Sequence, residues 1–189
     1  MFVIFSGVSS SGKNTIMNNL TKTRPNTFIL DKSSGTTRVP RESDKENSTY
    51  IFMNKEEFEN LIKNDQLFEY EFVHGNYYGL LKSALQRVID NPQNVYMRDV
   101  DVNGNTKLKK YFEGKGKVVS IFLDAPDEEL VKRLRARGED EDRIKVRLSR
   151  GEYERSKKNE YDLVIDNRDI EATTQIICDF LDKIESENK

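Results

Sequence analysis

The sequence lacks the features that would indicate disulfides, a cysteine-based metal site or a membrane span. Cys178 is the only cysteine, which excludes an intrachain disulfide and a metal cage built on several cysteines. No apolar run approaches the roughly 18 residues that a membrane-spanning helix needs. Residues 2–5 are apolar and have no basic segment before them and no small-residue cleavage site after them, so no signal peptide is expected. These absences predict a soluble, cytoplasmic protein without a membrane partner.

An excess of charge of one sign is also absent. The chain of 189 residues has 31 Lys and Arg against 33 Asp and Glu, a formal net charge of −2. Nucleic-acid-binding domains usually carry a basic surplus, so nucleic acid is not an expected partner. Charged residues nevertheless make up 34% of the chain, against a usual share of about 25%, which predicts a densely charged surface. The length fits one domain.

Short apolar runs alternate with segments of helical periodicity. A short buried strand is predicted at 2–5, and further strands at 27–30, 67–73, 95–97, 118–123 and 163–165, with an extended pattern at 50–53. Apolar residues recur at helical spacing within 16–20, 58–62, 81–89, 130–134 and 176–184. This alternation predicts an α/β fold with a parallel sheet flanked by helices.

The middle of the chain departs from strict alternation. Residues 34–47 lack periodicity and are expected to form a loop, and residues 75–79 are expected to interrupt the strand at 67–73. Asn54, with Glu57 three residues later, predicts a capping box at the start of a helix. The order of strands followed by a helix indicates a small inserted subdomain.

The most specific local motif is Gly7-Val-Ser-Ser-Ser-Gly12-Lys13, between the first strand and a helix. Such a loop directs backbone N–H groups and a helix N-terminus at a phosphate, and glycine is needed where the loop is crowded. Lys13 would reach the outer phosphates of a nucleotide. The position after this lysine is usually Ser or Thr, which binds Mg²⁺; here it is Asn14, and Thr15 follows.

Other motifs have two interpretations when each is taken alone. Arg38 and Arg41 could clamp a phosphate or simply be solvated surface residues. The basic residues between 132 and 150, mixed with acidic ones, are typical of charged helices joined by ion pairs. The single histidine, His74, is predicted to be structural rather than catalytic, and Cys178 to be buried and inert.

Taken together, the motifs resemble those of guanylate kinases. In the same order as in that family, the sequence has the phosphate loop, Ser34–Arg41, Phe68–Tyr70, His74–Gly79, Asp99–Gly104, Arg137-Gly138 and Ile165–Asn167. The resemblance extends from Phe2 to about Ile184. It implies a P-loop NTPase-type parallel sheet core (1–32, 94–124 and 159–189) with an inserted GMP-binding subdomain (about 33–93) and a helical lid (about 125–158).

The resemblance also implies which residues bind GMP. The phosphate would be held by two arginines and two tyrosines, and the base by two carboxylates and a hydroxyl. These residues are Arg38, Arg41, Tyr50 and Tyr78 for the phosphate, and Glu69, Asp101 and Ser34 for guanine. A carboxylate at Glu69 can accept hydrogen bonds from the N1–H and 2-amino groups of guanine, a pair of donors that adenine does not offer.

ATP, bound together with Mg²⁺, is the implied phosphate donor. The residues expected to bind it are Gly7, Ser9, Ser10, Ser11, Gly12, Lys13, Asn14 and Thr15, with Asn167 near the adenine. Asn14, Thr15 and Asp99 would lie near the metal, partly through water. Lys13, Arg41, Arg137 and Arg147 would stabilise the charge of the transferring phosphoryl group.

The implied reaction is ATP + GMP → ADP + GDP, by a monomer or a homodimer. Leu80 stands where the family usually has Ser or Thr, and Asn103 where it usually has Gln. Two alternatives therefore stay open: a kinase for another guanine-type monophosphate such as dGMP, and a non-catalytic module that binds phosphopeptides.

Overall fold

A five-stranded parallel sheet forms the centre of the protein in the computed structural model, which describes residues 1–40, 50–73 and 75–187. The strands are β1 (Phe2–Gly7), β2 (Phe28–Leu30), β3 (Ser34–Thr36), β4 (Tyr50–Phe52), β5 (Leu67–Val73), β6 (Asn76–Leu81), β7 (Val95–Asp99), β8 (Val118–Asp124) and β9 (Leu163–Asp166). The helices are α1 (Lys13–Thr23), α2 (Lys55–Lys63), α3 (Lys82–Asp90), α4 (Val102–Phe112), α5 (Asp127–Ala136), α6 (Glu141–Ser156) and α7 (Ile170–Ser186), with a short 3₁₀ helix at Lys158–Glu160.

Strand β1 is the centre of the parallel sheet, whose order is β2-β7-β1-β8-β9. All six of its residues are buried, because helices cover both faces of the sheet. Val3 and Phe5 pack on the side of α1 and α7, whereas Phe2 and Ile4 pack on the side of α3 and α4. Each such side chain stabilises the fold by about 1.5–3 kcal/mol when fully buried. The predicted α/β fold with a parallel sheet is confirmed.

The carboxyl end of β1 lies at the topological switch point of the sheet, where the strand order continues to both sides of β1. Strands β2 and β7 lie on one side of β1, and β8 and β9 on the other. Ligands bind at such switch points in open α/β sheets. Phe5 of β1 pairs with Asp99 of β7, and Gly7 pairs with Leu123 of β8. This register places Asp99 beside the start of the predicted phosphate loop.

A second, four-stranded sheet has the order β4-β3-β6-β5. Strand β3 pairs parallel with β4 and antiparallel with β6, which also pairs antiparallel with β5. The loop predicted for 34–47 is therefore wrong at Ser34–Thr36. The strand predicted at 67–73 does end at Val73, but the interruption predicted at 75–79 is wrong from Asn76 onward, because β6 runs from Asn76 to Leu81.

Tertiary pairing explains both differences. Ser-Gly-Thr has little strand propensity of its own, but β3 has a hydrogen-bonded neighbour on each side. Gly79 lies under the ring of Phe58, and a Cβ built at this glycine would lie 2.9 Å from Cζ of that ring. A glycine inside a strand commonly marks such a close approach. Leu81, predicted to begin a helical face, instead ends β6.

Helix α4 has no counterpart among the predicted helices, because its apolar residues are too sparse for a clear period. Its buried positions include Gly104 and Asn105 as well as Val102, Leu108 and Phe112. Among the described residues, none of the helices combines the length and apolar character needed to cross a membrane. Cys178 is buried, as predicted, and its burial raises the pKa of the thiol.

The predicted capping box at the start of α2 is present. The Asn54 side chain accepts a hydrogen bond from the Glu57 N–H at 2.8 Å, and the Glu57 carboxylate accepts one from the Asn54 N–H at 2.7 Å. We expect Asn54→Ala to lower the free energy of unfolding by about 1 kcal/mol, since one helix N–H loses its partner. Urea denaturation measures this change, and an unchanged midpoint would show that the cap does not stabilise the fold.

Candidate active site

The predicted phosphate loop joins β1 to α1 and has an unusual backbone. Gly7, Ser10 and Gly12 have φ angles of +139°, +66° and +98°. Positive φ is readily accessible to glycine but strained for serine. These angles turn the chain tightly into the N-terminus of α1, where the first N–H groups of the helix and its dipole favour an anion.

Close contacts, besides φ, require glycine in this loop. A Cβ at Gly7 would lie 1.9 Å from the carbonyl oxygen of Leu123, a backbone atom of the neighbouring strand. A Cβ at Gly12 would lie 2.4 Å from Nδ2 of Asn167. The two glycines that sequence analysis assigned to phosphate binding therefore also allow the loop to pack on β8 and on the residue after β9.

We expect Gly7→Ala to lower the free energy of unfolding by about 3–5 kcal/mol, because it combines strained φ with a backbone clash. Gly114→Ala is the matched control: Gly114 also has positive φ, +71°, but a Cβ there meets nothing within 4 Å. The control should cost about 1–2 kcal/mol. Thermal and urea unfolding measure both values, and equal losses would refute the assigned clash.

Two side chains support the loop from behind. Asn167 donates to the carbonyl oxygen of Ser11 at 2.7 Å, and Arg133 donates to that of Ser10 at 3.2 Å. Asn167 is 2% exposed and the Ser11 side chain is fully buried. In this conformation the Asn167 amide positions the loop, so the predicted contact with adenine stays a prediction. Arg133 was not among the predicted site residues.

Lys13 lies between two adjoining cavities. Its ammonium donates to the carbonyl oxygens of Gly7 at 2.8 Å and Val8 at 3.2 Å. The larger cavity has a volume of about 410 Å³ and the smaller about 170 Å³. Ser9, Lys13 and Asp99 border both. Groups bound in the two cavities would therefore meet at Lys13.

The larger cavity brings together most of the residues that the resemblance assigned to GMP. Those on its wall are Ser34, Tyr50, Glu69, Tyr78 and Asp101. Arg38 lies behind Tyr50, with its guanidinium carbon 5.6 Å from the centre of that ring and 5.3 Å from the ring of Phe52. The rings of Tyr50 and Tyr78 meet edge to face at 6.0 Å. Arg41 and His74 lie outside the described residues.

The two carboxylates predicted to contact the guanine base, Glu69 and Asp101, have partners on α4. Lys107 donates to Oε2 of Glu69 at 2.7 Å, and this hydrogen bond raises the pKa of the lysine. Asp101 caps α4 by accepting from the N–H groups of Asn103 at 2.8 Å and Gly104 at 2.9 Å. Both carboxylates are thus held in place by α4. Contact of either carboxylate with guanine stays a prediction.

The smaller cavity is bordered by the residues predicted for ATP phosphates and metal. They are Ser9, Ser10, Gly12, Lys13, Asn14, Thr15, Asp99 and Arg137. Although Asp99 opens to both cavities, the surrounding protein displaces much of its hydration and raises the pKa of its carboxyl, with Lys13 and Arg98 opposing this effect. A bound cation would favour the charged carboxylate.

The donor set at the smaller cavity fits Mg²⁺. Asn14, Thr15 and Asp99 offer an amide oxygen, a hydroxyl and a carboxylate, and Mg²⁺ prefers oxygen ligands. Within 1–40, 50–73 and 75–187, no cluster of three or more His, Cys, Asp or Glu could hold a metal. That composition suits an ion that keeps several waters and binds mainly to substrate phosphates.

Helix α6 brings one predicted lid arginine to the loop. Arg147 donates to the Ser9 hydroxyl at 3.0 Å and pairs with Glu139 at 2.7 Å. The charged helix pair expected from the pattern is present, with ion pairs such as Arg150–Glu154 at 3.3 Å. Burial raises the pKa of the Glu154 carboxyl, which faces the larger cavity.

The structure adds residues that the motifs did not single out. Arg98, Arg150 and Glu154 border the larger cavity. A charged residue directly after the apolar run Val95–Met97 was the available signal for Arg98. For Arg150 and Glu154 the sequence shows only one more turn of a charged helix, which does not separate a site residue from a solvated one.

Comparisons with known proteins agree with this geometry. The guanylate kinase family model matches residues 1–184. A guanylate kinase of Bacteroides thetaiotaomicron is 39% identical over 188 residues, covering 96% of this chain and 90% of that protein. One from Fusobacterium nucleatum is 38% identical over 169 residues, covering 89% and 88%. The crystal structure of guanylate kinase from Anaplasma phagocytophilum has a TM-score of 0.68 at 29% identity, covering 97% of this chain and 84% of that one.

Proposed function

The chain belongs to the guanylate kinase family, and we propose that it transfers the γ-phosphoryl group of ATP to GMP, giving ADP and GDP. The observation that carries the proposal is the pair of adjoining cavities with Lys13 and Asp99 on their shared wall. One cavity ends at the phosphate loop. The other ends at Glu69, a carboxylate suited to the two adjacent donors of guanine.

In this proposal the smaller cavity receives the phosphates of ATP. The N–H groups of the loop and the α1 N-terminus bind the phosphates, and Lys13 moves from the Gly7 carbonyl to the β and γ oxygens. Arg137 borders this cavity and Arg147 reaches Ser9, so both can place charge beside the transferring group. Phosphoryl transfer depends mainly on such positioning and electrostatic stabilisation.

GMP would occupy the larger cavity, with its base at Glu69 and its phosphate near Tyr50 and Tyr78. Arg38 and Arg41 would complete the phosphate contacts, and residues of about 33–93 would move as the GMP-binding subdomain. Residues of about 125–158 would close as a lid, which excludes water as a competing acceptor. The GMP phosphate is already ionised, so no general base is required.

Mg²⁺ would be held by Asn14, Thr15 and Asp99, partly through water. When bound it neutralises charge on the ATP phosphates. Asp99 and Thr15 are the residues of this chain that would orient it. In this proposal the partners are ATP and GMP, and the protein acts as a monomer or a homodimer.

The test is product stoichiometry. Purified protein is incubated with ATP, Mg²⁺ and GMP, and the nucleotides are separated by ion-exchange chromatography. We expect ADP and GDP to form in equal amounts. ADP without GDP would mean hydrolysis and contradict the proposal. Neither product, together with no heat of ATP binding in calorimetry, would instead favour the phosphopeptide-binding alternative.

A further inference from the structure

Arg98 is a cation in the wall of the larger cavity that no carboxylate neutralises directly. Among the described residues it makes no ion pair within 4 Å, and the nearby Asp31 is paired with Arg87 at 2.7 Å. Burial lowers the pKa of the Arg98 guanidinium, with Asp31 and the more distant acidic groups opposing it. A partly desolvated charge without a direct counter-charge is costly unless hydrogen bonds compensate it.

The partners of Arg98 are two hydroxyl groups. Its guanidinium donates to Oγ of Ser33 through one terminal nitrogen and to Oγ of Ser34 through the other. Strand β7 of the parallel sheet is thereby connected to β3 of the second sheet. A guanidinium has five N–H groups in a fixed fork, so this two-point contact sets the orientation of both hydroxyls.

This contact decides where the Ser34 proton points. A serine hydroxyl has one proton to donate, and an oxygen that accepts from Arg98 directs that proton elsewhere. Ser34 is 8% exposed and borders the cavity, and within the described part of the chain its hydroxyl donates to no other group. The Ser34 hydroxyl is therefore a donor aimed at a ligand. The adjacent positive charge makes it a stronger donor.

Strand register places this donor opposite Glu69. Ser34 pairs with Leu80, and Leu80 pairs with Glu69, so the three side chains lie in one row on the same face of the second sheet. Two strand spacings separate the serine from the glutamate, roughly 10 Å. This backbone spacing is large enough for a purine edge to lie between the two side chains with a hydrogen bond of about 2.9 Å at each end.

Along this row, Ser34 offers a hydrogen-bond donor, Leu80 an apolar surface and Glu69 an acceptor. Guanine presents the complement along one edge: carbonyl O6 accepts, and N1–H and the 2-amino group donate. Adenine presents a donor at position 6 and an acceptor at N1, and so it opposes the row at both ends. Leu80 is 3% exposed and offers no hydrogen bond in the middle.

We propose that Arg98 is a positioning residue for base recognition, which directs the Ser34 hydroxyl at the 6-carbonyl of the bound purine. The inference rests on the proposed function for the identity of the ligand. In this inference Arg98, through Ser34, selects a 6-oxo purine over a 6-amino or 6-thio purine. Glu69 separately accepts hydrogen bonds from N1–H and the 2-amino group.

The test compares GMP, 6-thio-GMP and IMP as acceptors. Sulfur is a weak hydrogen-bond acceptor, so 6-thio-GMP removes the Ser34 contact, whereas IMP keeps O6 and lacks only the 2-amino group. We expect Arg98→Met to lower kcat/KM for GMP by about 10- to 100-fold, mainly through KM. The loss for 6-thio-GMP should be small, so the GMP preference over 6-thio-GMP collapses while the preference over IMP stays.

Four further variants complete the experiment. Ser34→Ala should show the same loss of discrimination, and the double variant should be no worse than the worse single one. Arg98→Lys, which keeps the charge without the fork, should restore part of the discrimination. Lys110→Met removes an exposed charge from α4 and should change nothing. If Arg98→Met fails to fold, Arg98→Lys and Ser34→Ala still test the proposal.

If folded Arg98→Met keeps the wild-type ratio of kcat/KM for GMP to kcat/KM for 6-thio-GMP, with normal KM for ATP, the inference is overturned. Arg98 would then be only a structural link between the sheets. Calorimetric binding of both nucleotides separates this result from failure of the proposed function. If the wild-type protein discriminates them in binding but transfers no phosphoryl group, the kinase assignment is contradicted, and loss of that binding discrimination in Arg98→Met would still support the role of Arg98.

Discussion

Lys13→Ala is expected to lower kcat by about 10³-fold, with a smaller change in KM for GMP. The ammonium of Lys13 lies at the boundary of the two cavities, where charge on the transferring group would develop. It donates to the carbonyl oxygens of Gly7 and Val8, contacts that hold it at the mouth of the loop. Alanine removes this charge without refilling the space.

Lys22→Ala is the matched control for Lys13→Ala. Lys22 is exposed in the last turn of the same helix, far along α1 from the loop, so its loss removes the same charge from the same element. Initial rates at saturating ATP and GMP measure both variants. A Lys13→Ala protein that keeps near wild-type kcat would refute the assignment of the phosphate loop.

Arg147→Ala is expected to lower kcat by about 10²- to 10³-fold. Arg147 spans from α6 to the Ser9 hydroxyl and is held by Glu139 on the other side of its guanidinium. Its position over the loop lets it neutralise phosphate charge only when α6 is close, so the loss should fall on kcat more than on ATP affinity. Removing it would also leave the Glu139 carboxylate without its partner, beside the place proposed for the ATP phosphates.

Arg143→Ala provides the comparison for Arg147→Ala. Arg143 lies one turn earlier on the same helix and pairs with Asp140 at 3.4 Å on the exposed surface, where an ion pair contributes little. Single-turnover rates with enzyme in excess separate chemistry from product release. Equal rates for the two variants would show that α6 contributes no charge to the transfer step.

The sequence predicted the central sheet well because burial on both faces imposes a simple pattern. The predicted strands Phe2–Phe5, Val95–Met97 and Val118–Leu123 are mostly apolar, the last with one buried serine, Ser120. Each forms part of a strand at or next to the centre of the sheet. The phosphate loop was equally recognisable, because its glycines are required sterically. In the structure a Cβ at Gly7 or Gly12 would clash with neighbouring atoms.

Elements that depend on their neighbours could not be predicted in the same way. Strand β3 exists because two strands pair with it, and Gly79 is a strand residue because the Phe58 ring leaves no space for a side chain there. Helix α4 buries Gly104 and Asn105, which carry no hydrophobic signal. Arg98 acquires its partners only through the contact between two sheets, which no local pattern contains.

The measurement that tests the central claim most directly is a coupled ADP-release assay with ATP, Mg²⁺ and GMP, dGMP, AMP, CMP or UMP as acceptor. A site that hydrogen-bonds the guanine edge should favour GMP over AMP and the pyrimidine monophosphates by about 10³-fold or more in kcat/KM. Comparable turnover of AMP, CMP or UMP would contradict the assignment of Glu69 and Ser34 to the base. If none of the five monophosphates is turned over, the proposed kinase activity itself is contradicted.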